Sequence, residues 1–364
     1  MNYVQLKDVC VINMGQSPDS NSYNDCGEGL PFFQGNADFG EMYPVTRKWC
    51  SSPTKIASEN DILISVRAPI GALNYAKESC CIGRGLAALT PNKSKVSPAF
   101  IFWLLKSKNE ELNSKGTGST FKAIGRKVLE ETLIPNISLG EQIVCAKALE
   151  KIYYIMQTCQ QQLQKLDDLV KARFVELFGD PISNPMNWNK RTLKEVCTKL
   201  NDGTHFSPES FSMGDYKYIT AKNIKASGFD FSNITYVPEA VHRPIFERCN
   251  PEQGDVLYIK DGATTGIAIV NTLKEEFTLL SSVALLKQNR NVINGYFLAA
   301  LLNNADMYSD IRNNMGGAAI TRLTIAKLNA VKVIVPPLDL QNRFAAFVHQ
   351  VDKSKLLQFF CFPI

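Results

Sequence analysis

The 364-residue sequence has no arrangement of cysteine and histidine that would build a disulfide framework or a metal site. Its ten cysteines are scattered without one C-x-x-C pair, and the histidines are only His205, His242 and His349. Disulfide-rich domains and structural zinc sites need such residues at short, regular spacing. We therefore expect reduced, mostly buried cysteines and no bound metal ion.

Long apolar runs are also missing. No stretch reaches the roughly 18 residues that a membrane span needs, and residues 1–5 lack the character of a signal peptide. The sequence therefore predicts a soluble, cytoplasmic protein without membrane contact. A content of 45% hydrophobic and 21% charged residues is globular, and the length predicts two or three structural units.

The motifs of enzymes that act on nucleotides or DNA are missing too. There is no P-loop and no E-x-K triplet, and Asn184-Pro185-Met186-Asn187 lacks the second proline and the aromatic residue of the amino-methyltransferase loop. Gly83-Arg84-Gly85-Leu86-Ala87-Ala88 fits G-x-G-x-x-A, but Thr90-Pro91 follow closely, so no helix is available to bind a pyrophosphate. His205 has no recurring nucleophile beside it, which favours a turn or a DNA contact. We predict no catalytic residue.

Positive charge is in small excess, because 40 Lys and Arg against 35 Asp and Glu give a net charge of +5. Basic residues gather where loops are expected, at Arg126-Lys127 and at Lys217, Lys222 and Lys225. This is weak evidence for a nucleic-acid partner, since any single lysine is most simply a solvated surface residue.

What the sequence does contain is a long internal repeat with a period of about 187 to 201 residues. Leu6-Lys7-Asp8-Val9-Cys10 returns as Leu193-Lys194-Glu195-Val196-Cys197. Asn60-Asp61-Ile62-Leu63-Ile64 returns as Gly254-Asp255-Val256-Leu257-Tyr258. Further matches keep the same order in both halves: Gly71 with Gly266, Phe102-Trp103-Leu104-Leu105 with residues 297–302, and Leu139-Gly140-Glu141-Gln142 with Leu340-Gln341-Asn342-Arg343.

The repeat predicts two related globular domains, each followed by a long helix. Strand-like runs alternate with Gly, Pro, Asn and Asp turns and with short helices, so we expect an α/β (α+β) fold. Prolines outside the helix ends mark the junctions. We predict a first domain over residues 1–137, a central helix over 138–180, a second domain over 181–337 and a C-terminal helix over 338–364.

The central helix has a heptad seam, with apolar residues at alternating steps of four and three. Its members are Leu149, Ile152, Met156, Cys159, Leu163, Leu166, Val170 and, after Arg173, Leu177. The C-terminal helix begins the same pattern with Leu340, Phe344, Phe347 and Val351. We expect the two helices to form an antiparallel coiled-coil spacer; the alternative is that the central helix packs as ordinary core.

Two related domains on a rigid spacer are typical of a protein that reads two separated blocks of DNA sequence. The order of motifs resembles the type I restriction-modification DNA specificity subunits, with two target-recognition domains. The strings that carry the resemblance cover nearly the whole chain: Ile64-Ser65-Val66-Arg67-Ala68-Pro69-Ile70-Gly71, Ile82-Gly83-Arg84-Gly85-Leu86-Ala87-Ala88-Leu89, Phe174-Val175-Glu176-Leu177-Phe178-Gly179-Asp180-Pro181, Asn201-Asp202-Gly203-Thr204-His205, Val335-Pro336-Pro337-Leu338-Asp339-Leu340-Gln341-Asn342-Arg343-Phe344 and Val351-Asp352-Lys353-Ser354-Lys355.

The resemblance implies a non-catalytic subunit that binds double-stranded DNA and directs methylation (M) and restriction (R) subunits to it. S-adenosylmethionine, ATP and Mg would then belong to those partners, and this chain would bind no cofactor. In the family the second helix usually continues well beyond Val351-Asp352-Lys353-Ser354-Lys355, whereas here residues 356–364 end the sequence. From this difference we expect a shortened second helix.

Candidate DNA contacts divide into those that hold phosphates and those that read base edges. For phosphate we predict Arg67, Arg84, Lys122, Arg126, Lys217, Lys222, Lys260, Arg312 and Arg322. For base edges we predict Gln34, Asn36 and Asn223. Asn36 and Asn223 are paired by an offset of 187, which a shared turn would also explain, and Lys122 and Arg322 each lie near a loop of small residues.

Three alternatives remain open from the sequence. The chain could be a silent specificity gene product that serves as a recombination reservoir, or a fused DNA methyltransferase whose active site is unrecognised. It could also be a scaffold with a coiled-coil arm and no DNA partner. Salt-sensitive DNA binding and S-adenosylmethionine binding by the isolated chain would separate them.

Overall fold

The computed structural model describes residues 2–118, 122–313 and 323–361, with side chains described up to Leu357. The chain divides into two compact units, Met1–Thr158 and Cys159–Ile364. None of the helices in the described ranges is long and apolar enough to cross a membrane. The nine cysteines from Cys10 to Cys249 are free thiols, and Cys10, Cys50, Cys80, Cys81 and Cys249 are buried.

The first unit contains eleven strands and four short helices within its described residues, and the long helix α5 begins in it. The strands are β1 Tyr3–Gln5, β2 Cys10–Met14, β3 Tyr23–Asn24, β4 Leu30–Phe33, β5 Trp49–Cys50, β6 Ile56–Ala57, β7 Ile62–Ser65, β8 Leu73–Tyr75, β9 Cys80–Ile82, β10 Leu86–Pro91 and β11 Leu133–Pro135. The helices are α1 Leu6–Val9, α2 Pro98–Ser107, α3 Asn109–Ser114, α4 Arg126–Glu130 and α5 Leu139–Phe178.

A four-stranded antiparallel sheet of order β2-β10-β7-β8 organises the first unit. Successive side chains of a strand point to opposite faces of the sheet. Ile62 and Ile64 of β7 accordingly pack in the core beside α2, whereas Leu63 packs in a second cluster with Phe33 and Ile82. Both faces of this sheet are therefore apolar and buried.

The second unit has the same architecture. Its strands are β12 Lys190–Thr192, β13 Cys197–Asp202, β14 Tyr216–Ile219, β15 Ile224–Lys225, β16 Gly228–Phe229, β17 Thr235–Val237, β18 Val256–Ile259, β19 Ala268–Val270, β20 Phe277–Leu279, β21 Val283–Gln288 and β22 Lys332–Ile334. Its helices are α6 Leu193–Val196, α7 Glu239–Arg248, α8 Gly295–Leu302, α9 Ala305–Asn313, α10 Ile325–Ala330 and α11 Leu338–Cys361.

Sheet order confirms the predicted repeat and the mixed α/β fold. The main sheet of the second unit, β13-β21-β18-β19, repeats β2-β10-β7-β8, and the pair β12-β22 repeats β1-β11. A parallel pair also recurs, as β4 with β9 and as β14 with β20. One difference is an irregularity between Cys197 and Lys199, which shifts β13 against β21 by one residue. After it, the offset between equivalent residues of the two domains is larger by one.

A buried glutamine joins each domain to the helix that follows it. The Gln142 side chain accepts from Ser97 N (2.8 Å) and donates to Ile137 O (2.9 Å). The Gln341 side chain accepts from Asn294 N (2.8 Å) and donates to Pro336 O (2.8 Å). These bonds make Gln142 and Gln341 equivalent, so the sequence match at this place was two residues out of register.

In the second unit, the end of α5 and helix α11 pack antiparallel, as predicted for the spacer. Phe174 and Phe178 contact Phe344 near the start of α11 (ring centroids 5.7 and 5.6 Å), and Asp167 pairs with Lys355 near its end (2.6 Å). Phe174, 3% exposed, takes the core position that the strict heptad gave to its neighbour Arg173. An α-helix has 3.6 rather than 3.5 residues per turn, so a heptad seam drifts by one residue along a helix of this length.

Earlier in α5, Leu149 packs against the core of the first unit, but the next two seam residues are exposed. Ile152 and Met156, which belong to the first unit, are 54% and 41% exposed, whereas Leu163, Leu166 and Val170 are half-buried. The α5 helix has 40 residues and is therefore about 60 Å long at 1.5 Å per residue.

Candidate nucleic-acid interface

Four loop segments of the first unit meet where β2, β7, β9 and β10 begin or end. Gln16 N donates to Ile82 O (3.0 Å), and Gly85 N donates to Gln34 O (3.1 Å). Gly85 also accepts a hydrogen bond, because Val66 N donates to Gly85 O (2.9 Å). The main chain is thereby cross-linked from loop to loop, although the segments lie far apart in sequence.

Two further hydrogen bonds add the segment that precedes α4. Ile124 N donates to Val66 O (2.9 Å), and Ala68 N donates to Lys122 O (3.0 Å). Arg67 and Ala123 form an antiparallel bridge between these two bonds. The main chains at Arg67 and Lys122 are therefore neighbours.

Close packing of these loops explains the glycines in the string Gly83-Arg84-Gly85. A Cβ on Gly85 would collide with Gln34 O, and a Cβ on Gly15 would collide with Gly83 O. The glycines thus allow main chains to approach each other, a different role from the nucleotide-binding one already excluded on sequence grounds.

Four of the predicted contacts come together on this framework. Gln34, Arg67, Arg84 and Lys122 are all exposed, and we call them the basic patch. Gln34 Nε2 donates to Ser17 Oγ (3.3 Å), which holds the amide at the surface. Three positive charges and one amide on a rigid main-chain framework suit a phosphate backbone with a base edge beside it.

The two other predicted residues of the first unit have structural contacts. Arg126 donates to the main-chain oxygen of Ile12 and pairs with Glu130 (3.3 Å), so its guanidinium is tied to β2. Asn36 is half-buried and begins a 3-10 turn that ends at Asp38. The Asp38 carboxylate accepts from Gln34 N (2.7 Å) and caps this turn.

In the second unit the structure corrects the prediction for Asn223. Its side chain is 4% exposed and caps a 3-10 turn, where it accepts from Thr220 N (3.0 Å) and donates to Asp230 O (3.3 Å). By this capping role it corresponds to Asp38 of the first unit, not to Asn36. Both halves of the amide are used inside the domain, so none is left for a base edge.

The prediction for Lys260 is corrected in the same way. Lys260 N donates to Ser282 O (2.9 Å), as Val66 N does to Gly85 O, so Lys260 occupies the inward position of Val66. Its side chain is 8% exposed and pairs with Asp261 (2.9 Å) and Asp202 (3.4 Å). A lysine neutralised in this way does not serve as a surface phosphate contact.

Of the remaining predicted residues of the second unit, Lys217, Lys222 and Arg312 lie in the described ranges. Lys222 is exposed, but Lys217 pairs with Glu275 (2.8 Å), and its ammonium holds the pKa of that carboxyl below its ordinary value. Arg312 Nη1 donates to the Tyr308 hydroxyl (2.5 Å). Arg322 lies outside the described residues.

Arg248 and Ser17 are two residues of these frameworks that the sequence did not reveal. Arg248 donates to the main-chain oxygens of Asp202 (3.2 Å) and Gly203 and so fixes the end of β13. Ser17 lies between Gln34 and Arg84. Its Oγ accepts from Gln34 Nε2 and from the main-chain N of Arg84 (3.4 Å). Neither belongs to a repeated string, so only the strand register brings them to these places. Within the described ranges no group of three or more His, Cys, Asp or Glu is placed to hold a metal ion.

Comparison with known proteins identifies the family of this fold. The model of the type I restriction modification DNA specificity domain matches residues 1–167 and again residues 185–358. Two domains of one kind, each followed by a helix, are therefore two copies of this specificity domain. The chain belongs to the type I restriction-modification DNA specificity family.

Individual relatives agree with this membership. The putative type I restriction enzyme MjaX specificity subunit of Methanocaldococcus jannaschii is 43% identical over 160 residues, which are 44% of this chain and 38% of that protein. The MjaIX specificity subunit of the same organism is 22% identical and matches 94% of this chain and 85% of its own length.

The fold has also been observed in a solved structure. The crystal structure of the type I restriction-modification system S subunit from M. genitalium matches 98% of this chain and 90% of its own chain, with a TM-score of 0.60 and 16% identity. This likeness extends the repeated architecture over nearly the full length.

Proposed function

We propose that this chain is the specificity subunit of a type I restriction-modification complex and reads a bipartite, asymmetric target in double-stranded DNA. The duplication of the specificity domain carries the proposal, because each copy supplies its own recognition surface. The copies differ in side chains at equivalent main-chain positions, so the two blocks of the target should differ as well.

Within each domain we assign separate tasks to separate groups. Arg67, Arg84 and Lys122 of the basic patch bind phosphates and set the register of the first domain on the duplex. Gln34, held by Ser17 beside them, is placed to read a base edge. The antiparallel helices α5 and α11 are the spacer that sets how many base pairs separate the blocks.

Catalysis in this proposal belongs to partner subunits. Methylation subunits would bring S-adenosylmethionine, and restriction subunits would bring ATP and Mg, while this chain would contribute recognition alone. The complex would act in the cytoplasm, where chromosomal DNA is accessible.

The experiment is co-expression with the methylation subunit of the same system in a host without adenine methylation, followed by sequencing of the methylome. We expect a bipartite, asymmetric adenine motif that is present only when this gene is present. A partner that methylates with another specificity subunit but never with this chain would instead favour the silent reservoir. Methylation, or S-adenosylmethionine binding, by this chain alone would favour a fused methyltransferase.

A further inference from the structure

The main-chain framework of the basic patch recurs in the second unit. Thr204 N donates to Leu279 O (2.8 Å), which is the counterpart of the Gln16 contact with β9. His205, one residue further, therefore stands where the first unit has Ser17. The segment after β13 therefore begins, at Thr204 and His205, at the place in the second domain that corresponds to the basic patch of the first.

The charges of Arg67 and Arg84, however, are not repeated in the second unit. The positions that Arg67 and Arg84 occupy in the first unit are held by Asp261 and Ser281 in the second, as the matching main-chain bonds show. A carboxylate and a hydroxyl do not bind phosphate as two arginines do. The phosphate contacts that we assign to Arg67 and Arg84 are therefore not available at these two positions of the second domain.

His205 projects outward from a fixed base. Its Nε2 lies 3.2 Å from Asp202 Oδ1, and its side chain is 66% exposed. The Asp202 carboxylate is 5% exposed and is held by Lys260 (3.4 Å) and Arg248 (3.8 Å). The ring is thereby anchored on one side and open to solvent on the other.

The residues after His205 expose large apolar side chains. Phe206 is 62%, Phe211 50% and Met213 82% exposed. The loop is nevertheless tied at its far end, because Phe211 exchanges two main-chain hydrogen bonds of 2.9 Å with Tyr236. Large apolar groups exposed together on an anchored loop mark a binding surface.

Resting on the function proposed above, we propose that residues 203–213 are the base-reading loop of the second domain. His205 contacts base edges and Phe206 packs against a base, for example against a thymine methyl group. An imidazole can donate or accept at a base edge, and apolar contact distinguishes thymine in the major groove. Duplex DNA is the occupant because the loop begins at the place where the first domain presents its basic patch.

The test compares the wild-type chain with the His205→Ala and Phe206→Ala variants, each assembled with its methylation subunits. Methylome sequencing should show relaxed or altered bases in one block of the motif and an unchanged other block. Affinity for a duplex with the wild-type motif should fall about 5- to 100-fold, which corresponds to one lost base contact. The slope of affinity against salt should stay the same, because no phosphate contact is removed.

Two matched variants of the second unit serve as controls. His349→Ala removes an exposed histidine that packs against Tyr296 on α8, and Val175→Ala removes a half-exposed apolar side chain on α5. Both should leave the motif and the affinity unchanged. Circular dichroism establishes that each variant is folded, and His205→Gln and Phe206→Leu replace any variant that is not.

An unchanged motif and affinity in folded His205 and Phe206 variants would overturn the assignment of this loop while the proposed function stands. A change in both blocks, or a lower salt slope, would also overturn it, since the contact would then be to the phosphate backbone. Absence of any motif with the wild-type chain is a different result and contradicts the proposed function itself.

Discussion

Arg67 and Arg84 reach the same surface of the first domain from two different loops. Their side chains are exposed, and the main chain beneath them is fixed by the hydrogen bonds of Val66 and Gly85. The planar guanidinium group of arginine can bind a phosphate with two parallel hydrogen bonds. The residue scale therefore provides the most direct tests of DNA contact.

Replacing Arg67 or Arg84 with alanine should weaken binding of the assembled complex to all duplexes alike. Each lost phosphate contact should lower the slope of log affinity against log salt concentration by about 1. The measurement is a salt titration of binding. Lys93→Ala is the matched control, because this exposed lysine follows the opposite end of β10, about 20 Å away. Equal salt slopes for all the variants would refute the phosphate role.

Gly85→Ala should destabilise the first domain, because its Cβ would collide with Gln34 O and lies 3.2 Å from the Gly35 Cα. Overpacking of this kind costs about 1–3 kcal/mol. Urea unfolding measures the loss. The control is Gly35→Ala, whose Cβ would meet nothing within 4 Å and whose φ of −176° is ordinary extended backbone. Similar stability of the two variants would contradict the close approach.

The structure leaves the four side chains of the basic patch exposed, whereas it buries Asn223 and Lys260, which the sequence also predicted as DNA contacts. All these side chains are polar and lie in loops or at strand ends, so composition and position treat them alike. Whether such a side chain points outward depends on the register of its segment. A shift of one residue turns it to the other face.

At the scale of elements, the junction between domain and helix is repeated in its hydrogen bonds. Gln142 and Gln341 make the same two kinds of main-chain hydrogen bond, each reaching the residue before a helix and the loop before its own helix. The sequence match located this junction but set Gln142 against Arg343, two residues out of register. The burial of the two glutamines and their partners required the packed structure.

Gln341→Leu should destabilise the second domain, because Asn294 N and Pro336 O would be left buried without their partner. An unsatisfied buried polar group costs about 1–3 kcal/mol. Urea unfolding followed by Trp188 fluorescence, in a chain with Trp49 and Trp103 replaced by Phe, reports on this unit. Gln161→Leu on the exposed side of α5 should have little effect. A loss of equal size in both variants would argue against the junction.

At the scale of the whole molecule, the two specificity domains should be separable readers. Exchanging residues 1–137 for the corresponding domain of another family member should change one block of the methylation motif. The other block should remain, because the second domain makes its own contacts. Methylome sequencing of the hybrid decides this, and a motif altered in both blocks would show that the domains do not read independently.

The sequence by itself determined the repeat, the α/β class and the pair of helices. Order of motifs and apolar periodicity are properties of the chain, and they survive any error of one or two residues in register. Only the tertiary structure decided which side chains stand together. Hydrogen bonds between distant loops brought the main chains at Gln34, Arg67, Arg84 and Lys122 together and turned Lys260 inward, because side-chain direction depends on register between segments that no local pattern specifies.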